Sequence, residues 1–411
     1  MGKACRFGVG LVVSLGALIG AAHAQQFIPI PPLLGDTEIY VRGVSGDGSI
    51  VIGVSGTYPD EHAFYWTAAT GTVALEPDDL TSYAVAISAD GSTIVGTVDN
   101  AGVRWVNGVV ESLEGTEEYP LVLPTSVAAD GATIAGRALP PQGPFGIPIR
   151  WTENGITDLG ELTPDAYPNI AHGISDDAMV IVGLCEPQAF RWTEASGMVG
   201  LGFLPGFSDF SIATCVCGDG SVIGGQADIG FVDGYAATYW TESTGWVRIP
   251  TIISSASIAD AVHGITADAS IMVGLNTGFD PFERQVFIWD AMNGPRPLQE
   301  ALENDYGVDF LGWQLAGLDP PFENEGDVMG IAADGSAIVG VTINPDTNTR
   351  WGWIVDLDSN PADVNGDGVV NVYDMLAVFA AWGETGDRPE DVNGDGIVNV
   401  LDLLALFDAW G

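Results

Sequence analysis

Residues 43–53, GVSGDGSIVIG, decide the fold, because the chain says nearly the same thing six more times. The other copies are AISADGSTIVG (86–96), SVAADGATIAG (126–136), GISDDAMVIVG (173–183), CVCGDGSVIGG (215–225), GITADASIMVG (264–274) and GIAADGSAIVG (330–340). In most of them an Asp-Gly pair separates two short apolar runs. Glycine supplies the positive φ of a tight turn, and aspartate accepts hydrogen bonds from the backbone beside it. Two β-rich runs joined in this way predict an antiparallel hairpin.

Working outward, each copy is followed by a variable loop and a short aromatic strand. These strands are HAFYWT ending at Thr67, VRW at Trp105, IRWT at Thr152, FRWT at Thr193, TYWT at Thr241, FIWD at Asp290 and RWGWIV ending at Val355. Several units add a further strand at a Gly-Leu or Leu-Gly turn, such as GITDLGEL after Asn154. One such meander cannot bury its apolar face alone, so neighbours must stack. The units recur every 40 to 49 residues, with one interval of 66 between Ile265 and Ile331. That period, four strands per unit and a recurring tryptophan predict a mainly β, seven-bladed propeller over residues 25–357. The coils of a β-helix would be far shorter. Trp66, Trp105, Trp151, Trp192, Trp240 and Trp289 read as packing between blades, and Asp47, Asp90, Asp130, Asp219 and Asp334 as turn residues. The stretch LLGDTEIYVRG (33–43) looks like the end of a unit, and the seventh unit stops at Leu357 without that end. Residues 33–42 are therefore expected to complete the last blade and clasp the chain ends together.

This region, about 33–357, resembles the HAF-type repeats of extracellular proteins. Their His-Ala-Phe signature stands here as His62, Ala63 and Phe64, with Gln188, Ala189 and Phe190 as a divergent copy. The resemblance implies an architecture and no particular reaction.

A different repeat closes the sequence. Residues 363–374 read DVNGDGVVNVYD, and residues 391–402 read DVNGDGIVNVLD. The match continues through Leu376, Phe379, Trp382 and Gly383, which correspond to Leu404, Phe407, Trp410 and Gly411. A hard cation such as calcium takes six to eight oxygens, and a twelve-residue loop supplies them from positions 1, 3, 5, 7, 9 and 12. The first loop offers Asp363, Asn365, Asp367, the Val369 carbonyl, Asn371 and Asp374. The second offers Asp391, Asn393, Asp395, the Ile397 carbonyl, Asn399 and Asp402. Gly368 and Gly396 fall where the chain must turn sharply. Val370 and Val398 are placed to pair the two loops. Three carboxylates per loop repel one another without metal, so two calcium ions are expected to drive folding of this module. A pair of Asp-Asn-Gly turns without an ion is the plainer alternative, and two complete ligand sets in tandem argue against it.

Residues 361–411 resemble the type I dockerin domain, a small α unit of two calcium-binding loop-helix (F-hand) repeats. Both loops carry Asp rather than Glu at position 12, and no helix-forming segment precedes either; dockerins share these features. The resemblance implies a dockerin-like domain at 363–411 that docks onto a cohesin-like protein or another cell-surface partner. The family's recognition positions fall on Val372 with Tyr373 and on Val400 with Leu401. The helix that follows, MLAVFAAWG, has no base, unlike well-studied relatives, so the metal sites carry over better than the partner does. Residues 358–362 form a short polar linker.

At the other end, Lys3 and Arg6 precede an apolar stretch from Phe7 to Ala21, and Ala22-His23-Ala24 has the form of a cleavage site. Residues 1–24 therefore read as a signal peptide, and the protein is expected to be secreted or held at the cell surface. No stretch is long enough to predict a membrane span. The formal net charge of −43 excludes binding to nucleic acid phosphates, for want of a basic footprint. Most of it reads as a solubility bias, and calcium sites explain only part.

Cys185, Cys215 and Cys217 remain beyond the leader, and Cys185 bridging one of the others is one pairing that export permits. No catalytic motif is present: G-x-S-x-G, H-E-x-x-H and phosphate-cradling glycine loops are all missing. No catalytic or organic cofactor-binding residue is assigned. His172 and His263 hold the same place in units four and six, just before the Gly-Ile that opens each repeat. Arg42, Val85, Thr125, Thr214 and Met329 are their equivalents. If that position faces the central channel, a mixed polar ring results, which would line a wet channel or hold a ligand or metal. Residues 295–327 are one large insertion, read as a lid or partner-binding loop, or as an extra structural strand pair. The favoured reading is a non-catalytic propeller that binds a polysaccharide or an exported protein and is tethered by its calcium-dependent tail. The alternative is an extracellular polysaccharide-degrading enzyme, a hydrolase or lyase, with the same tail.

Overall fold

The apolar run after each Asp-Gly turn becomes the second strand of a four-stranded sheet, with a neighbour on either edge. This is why the first six residues of Val51–Thr57 and all five of Ile181–Cys185 are buried. A computed structural model describes residues 26–357 except 77–79, 142–145, 165–166, 208–209, 231–233, 254–258, 279–283 and 316–327. In the tail it describes 364, 370, 372–385, 390–393 and 396–408. The described strands form seven four-stranded antiparallel sheets. The first comprises Ile39–Val44, Val51–Thr57, Asp60–Thr67 and Gly71–Ala74 in chain order. Five more repeat that order, with innermost strands at Ser82–Ile87, Leu121–Val127, Asn169–Ile174, Ser211–Val216 and Ala261–Ile265. The seventh joins Val328–Ile331, Ala337–Ile343 and Arg350–Asp356 to β1 (Gln26–Ile30) from the start of the described chain. The fold is a mainly β, seven-bladed propeller, with three small helices among the described residues.

The expected clasp exists, but its residues are different. β1 runs antiparallel to Arg350–Asp356, with Ile28 opposite Ile354. Of the stretch 33–42, expected to complete the last blade, residues 39–42 instead belong to Ile39–Val44, the innermost strand of the first. Alternation in QFIPI accounts for the choice: Phe27 and Ile30 are buried, and both join cores at the edges of blade seven.

The cores lie between blades. Ile52 and Ala63 of blade one pack with Ala84, Val103 and Trp105 of blade two, and the same arrangement recurs around the ring. Ala63 and Phe64 are part of this packing, with no exposed surface. The Ala63 amide donates to the Ser82 hydroxyl of the next blade at 2.9 Å, and the Ala189 amide donates to Ser211 at 3.0 Å. Trp66, Trp105, Trp151 and Trp192 are buried in these seams, while Trp240 and Trp289 are half-buried against theirs.

A second set of bonds links the Asp-Gly turns of neighbouring blades. Asp176 N donates to Gly218 O (3.0 Å), Gly218 N to Ala267 O (2.9 Å) and Ala267 N to Ala333 O (2.7 Å). Asp334 N then donates to Gly46 O (3.1 Å) and Gly46 N to Ala89 O (2.9 Å), carrying the chain of bonds across the closure. The turn aspartates act as expected: Asp90 accepts from the Ser88 hydroxyl at 2.6 Å and the Ser92 amide at 2.9 Å.

One question left open is answered and one expectation is corrected. Cys185, Cys215 and Cys217 are all free, so the permitted Cys185 bridge does not form. Cys217 takes the place of the turn serine, its Sγ 3.1 Å from Asp219 Oδ1. The 295–327 insertion begins with α1 (Leu298–Asp305), whose Leu298, Ala301 and Leu302 are buried against blades six and seven. Phe310 and Trp313 meet Phe27 in tilted ring contacts, centroids 5.2 and 5.6 Å apart, so this part is core rather than a lid. Residues 316–327 lie outside the described residues.

The tail is a separate compact unit. It contains α2 (Val372–Ala380) and α3 (Val400–Asp408). Val378, Ala381, Val392, Val398 and Leu406 form its small core. The expected pairing of Val370 with Val398 is not what engages Val398. Its amide donates to Glu384 O and its carbonyl accepts from Gly383 N, at 3.0 and 2.8 Å.

Candidate functional site

The channel ring begins with a glycine. Every repeat ends in one, on the second strand, and its reason is steric. A Cβ on Gly53 would lie 2.0 Å from the Tyr40 carbonyl oxygen, and one on Gly96 would lie 1.8 Å from that of Tyr83. Gly136, Gly183, Gly225 and Gly274 are crowded by a carbonyl in the same way. The carbonyl is there because the innermost strand carries a β-bulge opposite, which inserts one unpaired residue and bends the strand. The register slips between Val41 and Gly43, and the slip recurs at the matching place in all seven blades.

The inserted residues are Arg42, Val85, Thr125, His172, Thr214, His263 and Met329. The first six line one cavity of about 310 Å³. The expectation that this position faces the channel therefore holds for them, and the structure brings His172 and His263 to one cavity. Of the lining residues, none among those described is an aspartate or glutamate. The Thr125 hydroxyl donates to the Ala171 carbonyl of the next blade at 2.8 Å, and Thr214 donates to Val262 O at 2.6 Å. His172 has no such bond, and its Nε2 is buried without a partner. Burial, with the Arg137 guanidinium close by, lowers its pKa to about 4, so the ring is neutral at ordinary pH. Burial pushes the Cys215 thiol, also in the lining, up to about 12, which leaves it protonated and unreactive.

In the tail, Asp363, Asn365, Asp367, Val369, Asn371 and Asp395 lie outside the described residues. The second loop shows the rest of its set. The Asp391 carboxylate accepts from the Gly396 amide at 2.6 Å, closing the sharp turn. The Asp402 carboxylate accepts from the Asn393 amide at 3.1 Å and the Asn399 amide at 2.6 Å, tying both arms of the loop to α3. Asn399 Oδ1 accepts in turn from the Leu401 amide at 2.9 Å, so Asn399 and Asp402 form a capping box at the helix start. The Ile397 carbonyl accepts from Asn399 Nδ2 at 2.7 Å, and Ile397 forms an isolated bridge with Thr385. Asp374 and Asp402 are wholly buried. Among the described residues no three His, Cys, Asp or Glu side chains gather into a metal-ready group.

These donors fit a hard cation. A carboxylate oxygen has two acceptor sites, so a bond to an amide is compatible with a cation on the same group. The described partners of buried Asp402 are neutral amides, and buried charges are ordinarily paired or bound to metal. Outside the loop, Val372, Tyr373, Leu376 and Phe379 of α2 are exposed, and so are Val400, Leu401, Leu404 and Phe407 of α3. The two sets are counterparts in the repeat.

Known structures share the propeller. An oligogalacturonate lyase in complex with manganese is similar at a TM-score of 0.53 and 11% identity, over 78% of this chain and 89% of that one. An oligogalacturonate lyase from Vibrio parahaemolyticus gives 0.51 and 11%, over 82% and 98%. A putative TolB from Agrobacterium tumefaciens gives 0.45 and 14%, over 75% and 99%. At such identities the likeness is one of fold alone. No family model matches the chain, and no curated protein matches it.

The signal that sequence reasoning passed over is the last glycine of each repeat. Read as the space for a carbonyl, it marks the bulge and so the channel position.

Proposed function

We propose that this is an exported recognition protein: a propeller that binds a ligand, attached outside the cell through a calcium-dependent, dockerin-like tail. The observation that carries the reading is Asp402, wholly buried, gathering both arms of its loop onto α3 with only neutral amides as described partners. Calcium at Asp391, Asn393, Asp395, the Ile397 carbonyl, Asn399 and Asp402, and at the matching set from Asp363 to Asp374, supplies the missing positive charge. The duplicated apolar face of α2 and α3 is then the docking surface for a cohesin-like or cell-surface protein, since contiguous exposed apolar area of this kind marks interaction sites. Export follows from the leader reading of residues 1–24. Calcium-dependent capture of an envelope protein by the full chain supports the proposal. Capture unchanged by EDTA, or by Leu376→Asp with Leu404→Asp, contradicts it.

One observation favours a second reading, a polysaccharide-cleaving enzyme: two histidines meet in one cavity, in a fold shared with oligogalacturonate lyases. Turnover of an acidic polysaccharide that disappears in His172→Thr would establish it.

A further inference from the structure

Resting on the reading of the propeller as the ligand-binding part, we infer that Tyr58, Tyr83 and Glu61, at the seam of blades one and two, take an arginine side chain of a protein partner. The site lies at the end of these sheets opposite the Asp-Gly turns. Tyr58 stands between strands Val51–Thr57 and Asp60–Thr67, and Tyr83 is the second residue of Ser82–Ile87. Two bonds across the seam fix these segments: the Thr81 hydroxyl donates to the Pro59 carbonyl at 3.1 Å, beside the bond from the Ala63 amide to Ser82. The Tyr83 phenol donates to the Glu61 carboxylate. Burial, that bond and the nearness of Tyr58 raise the Tyr83 pKa to about 12, so the phenol stays a neutral donor.

The chain itself shows what such a pair holds. Tyr40 occupies in blade one the place of Tyr83 in blade two, two residues before the bulge residue, and its phenol donates to Glu38 Oε2 at 2.8 Å. The Arg350 guanidinium of blade seven lies over that ring, 4.3 Å from its centroid. A guanidinium is drawn to the negative face of an aromatic ring, and a carboxylate at the ring's edge adds to the attraction. In blades three to six the same place holds Leu123, Ile170, Ile212 and Ala261, so among the described residues the tyrosine–carboxylate pair belongs to blades one and two.

Blade two has the pair without the cation. Among the described residues no guanidinium lies over Tyr58 or Tyr83, and no basic group stands within ion-pair distance of Glu61. Tyr58 is 84% exposed, which leaves its ring open to a partner near that carboxylate. The formal net charge of −43 steers a cationic partner inward and repels an acidic polysaccharide. Arginine and tyrosine are also the side chains that carry much of the binding energy where proteins meet. A neutral sugar can stack on Tyr58, but it leaves the Glu61 charge unbalanced.

The test is titration of the full chain, followed by saturation-transfer NMR of the ligand, with acetyl-Gly-Arg-Gly-amide, with its citrulline twin, which keeps the shape without the charge, and with cellotetraose as a neutral sugar. The arginine peptide is expected to bind, and the citrulline peptide to bind at least about tenfold more weakly, the worth of one hydrogen bond to a charged group. Glu61→Gln, which keeps an acceptor for Tyr83, should weaken the arginine peptide by at least about tenfold. Tyr58→Leu should weaken it by about two- to fivefold, the worth of one exposed cation–π contact, and both variants should keep the parent Tm. Binding should be the same in EDTA, so a failure of the calcium reading leaves this result intact. Cellotetraose binding without peptide binding would overturn the assignment and leave the propeller a recognition module. No peptide binding, equal binding of the citrulline twin, full binding by either variant or a requirement for calcium would each overturn it as well.

Discussion

The ring and the tail are both built from repeats, and they differ in what binds the copies together. In the ring, seven dissimilar copies keep only what a blade seam needs: small residues and an aromatic that meet the next blade, a turn aspartate, and a glycine opposite a bulge. Everything else in a blade drifts, including the bulge residue, which is Arg, Val, Thr, His or Met. In the tail, two copies agree at almost every oxygen-bearing position, while the described apolar core is five residues. Apolar burial is non-directional and tolerates substitution, whereas a coordination sphere fixes ligand type and position. If calcium holds the tail as proposed, how far the copies diverge reports which force holds them.

That contrast can be strained from the ring side first. Deleting Gln26–Ile30 removes the fourth strand of blade seven and, with Phe27 and Ile30, part of two seams. Thermal melts should show loss of the cooperative transition; Phe27→Ala alone should cost about 3–5 kcal/mol. A deletion variant that melts like the parent would show that the ring does not depend on β1. Next, Gly53→Ala drives a Cβ against the Tyr40 carbonyl and must unbuild the bulge. A cost of about 1–3 kcal/mol in chemical denaturation is expected, larger than for Gly71→Ala, where nothing lies within 4 Å and only the positive φ objects.

Smaller effects come from titration. Between pH 6.5 and about 4 the unfolded chain protonates His172 while the folded ring does not, so stability falls as the medium is acidified through that window. His172→Thr should flatten this part of the profile, measured as midpoint against pH. Smallest is Asp90→Asn. The Ser88 hydroxyl, with the Ser92 amide and hydroxyl, holds the Asp90 carboxyl below its ordinary value of 3.8. Its contribution is present above that value and fades as pH falls through the folded one. The variant should therefore trail the parent slightly at pH 7 and match it near pH 2, by thermal melts at both.

Much of this was legible from residues. Seven turns and seven aromatic strands fixed blade number, because one Asp-Gly hairpin cannot exist without a neighbour to cover it. The ring position of His172 and His263 was legible from their common place before each Gly-Ile. β1 was not, since QFIPI contains no turn signal and resembles no part of the other units. Its partner is set by closure, a property of the whole circle. The role of α1 was hidden for a similar reason: its apolar stripe of Leu298, Ala301 and Leu302 meets Phe310 and Phe27, which no local pattern connects. In the tail, the capping box of Asn399 with Asp402 was concealed beneath the proposed ligand pattern, which uses the same two residues.

Calcium and the buried Asp402 are where the tail is tested most directly. Calorimetry of the full chain with calcium, beside circular dichroism, should give two bound ions and a gain in helix, with Asp402→Asn reducing the count to one. No heat of binding, or helix content indifferent to calcium and to Asp402→Asn, would contradict it.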